Sequence, residues 1–221
     1  MAPDLAAAAA GRTPHLIRPA KGILTLSTFL IDLSASDMQC RLHDALSIYV
    51  QAMRYPRGTE EQRASMWLEH TRRRGWKAVA VVEAVDDDHD QAALAASPML
   101  GIAYGYCGAP DQWWQQQVVA GLQRGGVDAV RIDELMTSYF ELTELHIDPR
   151  AQGRGLGEAL ARRLLTGRGE SHVLLSTPEI NGEANRAWRL YRRLGFTDVI
   201  RGYHFAGDPR PFAILGRPLP L

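Results

Sequence analysis

Glu141-Leu-Thr-Glu-Leu-His-Ile-Asp-Pro-Arg-Ala-Gln-Gly-Arg-Gly-Leu-Gly-Glu158 is the stretch from which the rest of the chain can be read. Its opening mixes apolar Leu142, Leu145 and Ile147 with polar neighbours, as a half-buried strand does. Pro149 has no backbone donor and ends the ladder. Gln152–Gly157 is a glycine-rich turn, and Glu158–Leu165 continues as a helix. Strand, glycine turn and helix in that order offer unpaired backbone N–H groups to an anion. Glycines also let the backbone come close to a phosphate. The residues therefore read as a dock for a phosphate-bearing ligand at Gly153–Glu158.

A nucleotide loop of the Walker type would need Gly-Lys-Ser/Thr after its glycines, and a dinucleotide fingerprint would need Gly-x-Gly-x-x-Gly. Gly153-x-Gly155-x-Gly157 meets neither pattern. Gln152-x-x-Gly155-x-Gly157, directly after a strand and a Pro-containing turn, resembles the acyl-CoA-binding motif of the GNAT acetyltransferase superfamily. A glycine-rich helix start with no ligand is the alternative reading of the motif alone.

Ala187-Trp-Arg-Leu-Tyr191-Arg-Arg-Leu-Gly195-Phe196 resembles the same family's second signature, a helix bearing Leu-Tyr and ending in Gly-Phe. Ala187, Leu190, Tyr191 and Leu194 fall at i, i+3, i+4 and i+7, one buried stripe. Gly195 suits a left-handed helix end, and Phe196 opens the next strand. The two signatures stand in the family's order with a strand, His172–Ser176, between them. The resemblance is specific over residues 139–205 and architectural upstream.

The remainder of the 221 residues fits one globular domain: 46% hydrophobic, 23% charged, with 25 basic and 25 acidic residues balancing to zero. Neutral balance provides no electrostatic footprint for nucleic acid or an anionic membrane. Cys40 and Cys107 are too few for a disulfide scaffold and suit a reducing cytoplasm. No apolar run is long enough to span a bilayer. Residues 1–22 read as a flexible tail, and 23–221 as one domain.

In chain order, a strand is expected over Ile23–Ile31 and a helix over Asp37–Met53 capped by Ser34 or Ser36, with Met38, Leu42, Leu46 and Val50 as its stripe. Thr59-Glu-Glu-Gln62 reads as a capping box for a helix ending near Gly75. Trp76–Val85 and Met99–Cys107 read as strands, with Asp86–Asp90 and the following alanines a loop. That acidic run lacks calcium-loop spacing and reads as a solvated hairpin tip. An insertion over 108–138 holds a helix from Asp111 to Gln123, then an irregular piece to Tyr139. Thr197–Phe205 and Phe212–Leu215 close the domain around a turn at Gly207–Pro211, with Arg217–Leu221 as a tail over the surface. The expected class is α+β: a mixed, mostly antiparallel sheet of six to seven strands with helices on both faces, which the resemblance identifies as the GNAT fold.

The same resemblance implies the site. Gln152, Gly153, Arg154, Gly155, Leu156, Gly157 and Glu158 would hold the pyrophosphate of acetyl-CoA, and Leu145, His146 and Ile147 its pantetheine. An amide of Leu145 or Ile147 would face the acetyl carbonyl. Asn185 is included as a coenzyme ligand although it stands one position off the family's asparagine. Arg150 and one of Arg186, Arg189, Arg192 and Arg193 are candidates for phosphate contact. Tyr191 stands where the family's tyrosine hydroxyl approaches the coenzyme sulfur, the place for a proton donor to the leaving thiolate.

An ammonium acceptor must lose a proton, and Glu141 or Glu144 would take it. Strict alternation puts Glu141 and Leu145 on one face and Glu144 on the other, unless a bulge intervenes; Glu141 is favoured. His146 reads as a half-buried strand residue. Trp113, Trp114 and Tyr55 are candidates to line the acceptor pocket, with simple packing of the helix onto the sheet as the alternative for one tryptophan. No metal is implied, because the histidines show no ligand spacing. The leading reading is an N-acetyltransferase acting on a small-molecule amine. A protein acetyltransferase or a non-catalytic acyl-CoA-binding module are the alternatives, and a homodimer stays open.

Overall fold

A computed structural model describes residues 26–85, 91–180 and 185–221. The expected tail at 1–22, the start of the first strand and the acidic tip at 86–90 lie outside the described residues. Seven strands form one sheet in the order β1-β2-β3-β4-β5-β7-β6. They are β1 (Leu26–Leu33), β2 (Lys77–Val85), β3 (Met99–Cys107), β4 (Tyr139–Ile147), β5 (His172–Pro178), β6 (Thr197–Tyr203) and β7 (Phe212–Pro218). Every neighbouring pair is antiparallel except β4 with β5, which run parallel.

Helices cover both faces. On one, α7 (Leu156–Leu165) and α8 (Arg186–Arg193) bury Leu160, Leu164, Trp188, Leu190 and Tyr191 against Val79, Phe140, Val173 and Leu215. β2, β5 and β7 contribute alternate residues to that core, Val79 and Val81, Val173 and Leu175, Ala213 and Leu215, as the pleat requires. On the other face, α1 (Ala35–Cys40), α2 (Leu42–Met53) and α3 (Thr59–His70) cover β1–β4 through Met38, Leu46, Val50 and Trp67. Further along the same face α5 (Trp113–Arg124) and α6 (Ala129–Met136) cover β5, β7 and β6.

The expected helix over Asp37–Met53 is two helices. Ser34 caps the first in a reciprocal box with Asp37, and the break falls at Arg41. Arg41 bonds the carbonyls of Ala95 and Ser97 across the chain, so a long-range contact interrupts a locally continuous stripe. The capping box at Thr59 does not form: Gly58 is the N-cap, and Thr59 turns its hydroxyl to the Pro56 carbonyl. The helix ends at His70, short of Gly75. The alanines after the acidic run form α4 (Gln91–Ala96) rather than loop. The piece expected to be irregular before Tyr139 contains α6, capped by Asp128 and burying Ile132 and Met136. The C-terminal residues do not drape outward: Arg217 and Pro218 belong to β7, and Leu219 and Leu221 pack on the core. Among the described residues no helix is long and apolar enough to cross a membrane.

Candidate active site

β3 and β4 slip by one residue between Tyr104 and Gly105, which face Glu144 and Leu142 respectively. Thr143 is the extra residue, and a bulge of this kind inverts the alternation beyond it. Glu141 faces Tyr106 and Glu144 faces Tyr104, two residues of one face of β3, so both carboxylates point the same way. His146, opposite Ile102, shares that face. On the other side Phe140 and Leu142, then Leu145 and Ile147, all meet the α7 core. The bulge is possible because Gly105 has no side chain: a Cβ there would sit 2.1 Å from the Glu141 carbonyl oxygen.

Glu141 is buried, 4% exposed. Its Oε1 accepts hydrogen bonds from the Tyr106 hydroxyl at 3.2 Å and the Thr143 hydroxyl at 3.5 Å, and its Oε2 is buried without a partner. Burial pushes its pKa up to about 7 against the pull of Arg73 and these hydrogen bonds. A carboxyl with one oxygen held and one free, titrating near neutral pH, has the properties of a general base. Glu144 accepts from His146 Nε2 at 2.5 Å. The His146 ring meets the Tyr49 ring edge-on at 5.0 Å between centroids.

β4 and β5 pair only over Tyr139–Glu141 and His172–Leu174, then separate. Beyond Glu141, β4 is therefore bonded along one edge alone. The Asp148 amide donates to Leu100 on β3, so alternation turns the Ile147 and Leu145 amides toward the gap. Gln152 Nε2 donates to the Ile147 carbonyl at 3.2 Å, tying the glycine turn to the same edge.

Gly153 and Gly155 adopt φ +84° and +79°, a backbone that only glycine takes readily. Among the described residues the amides of Gly153, Arg154, Gly155, Leu156 and Gly157 have no acceptor, since the first helical bonds are those of Glu158 and Ala159 to the Gly155 carbonyl. A Cβ added at Gly153 or Gly155 would meet nothing within 4 Å, so the turn is open at these two residues, while at Gly157 it would meet Leu190 at 3.2 Å. Successive amides around left-handed residues at a helix start form an anion cradle, which fits a pyrophosphate.

Around the cradle, Arg186 Nη1 donates to Gln152 Oε1 at 2.9 Å, and Glu158 pairs with Arg162 and Arg193. Arg154 lies 3.6 Å from Glu83. Arg150 is committed to Asp148 through Nη2–Oδ2 at 2.6 Å, and Arg192 pairs with Asp198. The Asn185 side chain accepts from the Ala187 amide at 2.9 Å and caps α8. Its oxygen therefore has a local partner, the ordinary use of Asn at a helix start.

Tyr191 is buried against Phe196, ring centroids 5.5 Å apart, and its hydroxyl has no hydrogen-bond partner among the described residues. Burial and the charge of Glu144 hold the phenol above its ordinary pKa.

Tyr55 stacks on Tyr49 at 5.3 Å and accepts a hydrogen bond from Arg210 Nη2 at 2.5 Å. Arg210, itself held by Asp208, thereby bridges the β6–β7 turn to the α2–α3 turn. Trp113 and Trp114 divide. Trp114 is buried in the α5–α6 core, with Nε1 3.4 Å from Ser176 Oγ. Trp113 is 52% exposed beside Phe205. Sequence reasoning missed Tyr106, Tyr49 and Arg210, and named His146 only as a pantetheine contact and a half-buried strand residue. The shift of apolar parity, Phe140 and Leu142 then Leu145 and Ile147, could have pointed to the face that Glu141, Glu144 and His146 share.

The family model of the acetyltransferase (GNAT) domain matches residues 111–198. A GCN5-like protein acetyltransferase of Mycobacterium tuberculosis is 71% identical over 206 residues, 89% of this chain and 100% of the relative. Among solved structures, Arabidopsis thaliana NAA60 in complex with acetyl-CoA matches with TM-score 0.55 at 16% identity over 87% of this chain and 99% of that one. A Sinorhizobium meliloti phosphinothricin acetyltransferase in complex with acetyl-CoA matches with TM-score 0.51 at 19% identity over 87% and 88%.

Proposed function

The chain belongs to the GNAT acetyltransferase family, and from that premise we propose that it moves the acetyl group of acetyl-CoA to a primary amine on the carboxylate face of β4. One observation carries this reading: a buried carboxylate with a free oxygen, Glu141, stands where β4 and β5 part, at the head of the strand that leads to the open amide cradle.

The amides of Gly153–Gly157 bind the pyrophosphate, with Gln152 and Arg186 bracing the turn. The gap-facing amides of Leu145 and Ile147 orient the thioester and polarise its carbonyl, which supplies placement and oxyanion stabilisation. Glu141 takes a proton from the nitrogen as it forms the new bond. Tyr191 gives a proton to the departing thiolate. Acetyl-CoA enters as a substrate, and its acyl group is the chemistry it supplies.

The acceptor amine is carried on a polypeptide. The relative sharing 71% of its residues is named a protein acetyltransferase, which supports this over the free small amine favoured by the sequence alone. A free small amine is the second reading. Thiol release from acetyl-CoA, compared across lysine peptides, free-N-terminal peptides and small amines such as spermidine, decides between them. Preference for a peptide by about tenfold in kcat/KM supports the polypeptide reading, and the reverse order overturns it.

A further inference from the structure

We propose that His146, held by Glu144, is a second proton acceptor of the reaction, distinct from Glu141 and facing the incoming amine. The inference rests on the transferase reading above. Glu141 lies at the last β4/β5 pair, whereas Glu144 and His146 lie beyond it, where β4 borders the gap. The bulge at Thr143 aligns all three side chains along one face. The His146 ring also meets Tyr49, whose ring lies against Tyr55, the residue that carries the Arg210 bridge.

The proton count gives this arrangement its use. An ammonium group must shed one proton before its nitrogen has a lone pair, and a second once the carbon–nitrogen bond has formed. Glu141 as a carboxylate can take only one of these two protons, and its unpartnered oxygen is buried. Glu144 as a carboxylate only accepts, so His146 Nε2 carries the hydrogen between them and Nδ1 keeps the lone pair. Nδ1 has no partner among the described residues and is not sealed as Glu141 Oε2 is, and the His146 side chain keeps 10% of its surface exposed.

The steps balance. The ammonium gives its first proton to His146 Nδ1, and the adjacent carboxylate stabilises the imidazolium. The nitrogen lone pair forms the bond to the thioester carbon while the carbonyl pair moves to oxygen. Collapse reforms the carbonyl and breaks the carbon–sulfur bond, expelling the thiolate. The nitrogen's second proton goes to Glu141 and Tyr191 gives one to the thiolate; as the products leave, His146 and Glu141 release theirs to solvent and Tyr191 regains one, a net release of one proton. The ionisable groups around the pair are Tyr49 from α2, Tyr104 from β3, Glu141 from β4 and Tyr191 from α8. The nearby cations, Arg63 and Arg73, act on Tyr49 and on Glu141.

The test uses the full chain, acetyl-CoA and the best amine of the panel above. His146→Ala should lower kcat/KM at pH 7 about 100-fold, and added imidazole should restore about tenfold of that. Acetyl-CoA should bind as in the wild type, which reports an intact fold. His146→Gln keeps a hydrogen bond to Glu144 and should lose activity equally, without rescue. Wild-type activity in either variant, or a loss in His146→Ala that imidazole does not restore, overturns the inference alone. A wild-type chain that releases no thiol with any amine overturns the transferase reading and the inference together.

Discussion

Glu141 and Glu144 share one face of β4 because Thr143 stands between them as an extra residue with no partner on β3. Were Thr143 instead paired in a regular ladder, strict alternation would send one carboxylate to the α7 core and the other to the α2 side. The bulge depends on Gly105, whose missing side chain makes room for the Glu141 carbonyl. Gly105→Ala should therefore cost about 2 to 3 kcal/mol of stability and most of the acetyl transfer. Thermal unfolding and thiol release measure the two effects, and a variant normal in both would show that the bulge does not depend on this glycine.

Glu141→Gln should lower kcat about 100-fold, since the amide cannot accept the proton. The same change has a stability signature with a definite sign. The folded pKa of about 7 lies above the ordinary value of 4.5, so burial favours the protonated form. Stability from this group is present below pH 4.5 and is lost as pH rises through about 7. Glu141→Gln should accordingly gain on wild type by as much as about 3 kcal/mol at pH 8 and gain little near pH 4.5. Unfolding curves at the two pH values read this directly, and equal differences at both would contradict the buried carboxylate.

His70 works in the opposite direction. Burial lowers it to about 4, so its neutral form is favoured in the fold and its contribution is lost as pH falls from about 6.5 toward 4. It donates to or accepts from Tyr104 at 3.0 Å. Replacing it by Gln should flatten the acid side of the stability profile while leaving the alkaline side unchanged.

Tyr191→Phe removes a hydroxyl with no protein partner among the described residues and leaves the ring on Phe196. It should lower kcat at least about tenfold and leave acetyl-CoA affinity nearly intact. Unchanged kcat would make Tyr191 a packing residue of α8.

The two adjacent tryptophans should separate cleanly. Trp114→Ala empties a buried site and should cost about 3 to 5 kcal/mol. Trp113→Ala should change stability by less than about 0.5 kcal/mol, and an effect on acceptor KM alone would place its exposed ring at the acceptor mouth.

The two signatures around Gly153 and Tyr191 were legible because each combines a local backbone requirement with a helical stripe. Phe140, Leu142, Leu145 and Ile147 carried the bulge in their parity, but a strict two-residue alternation read them as one regular strand. Asp128, Ile132, Leu135 and Met136 carried α6, hidden behind paired glycines that read as the start of an irregular piece. The break at Arg41 was not local at all, since carbonyls of Ala95 and Ser97 draw its side chain away. The Arg210–Tyr55 bridge likewise joins residues 155 apart, beyond the reach of any pattern in the sequence.

Isothermal titration of acetyl-CoA into the wild-type chain and into a Gly153→Val, Gly155→Val double variant tests the central claim most directly. Valine is strained at both positive φ angles and its side chain would intrude on the open row of amides. The account predicts saturable binding to the wild type and affinity weaker by about tenfold or more in the variant. Equal affinity in the two proteins, or no binding to the wild type, would contradict the placement of the pyrophosphate at Gly153–Gly157.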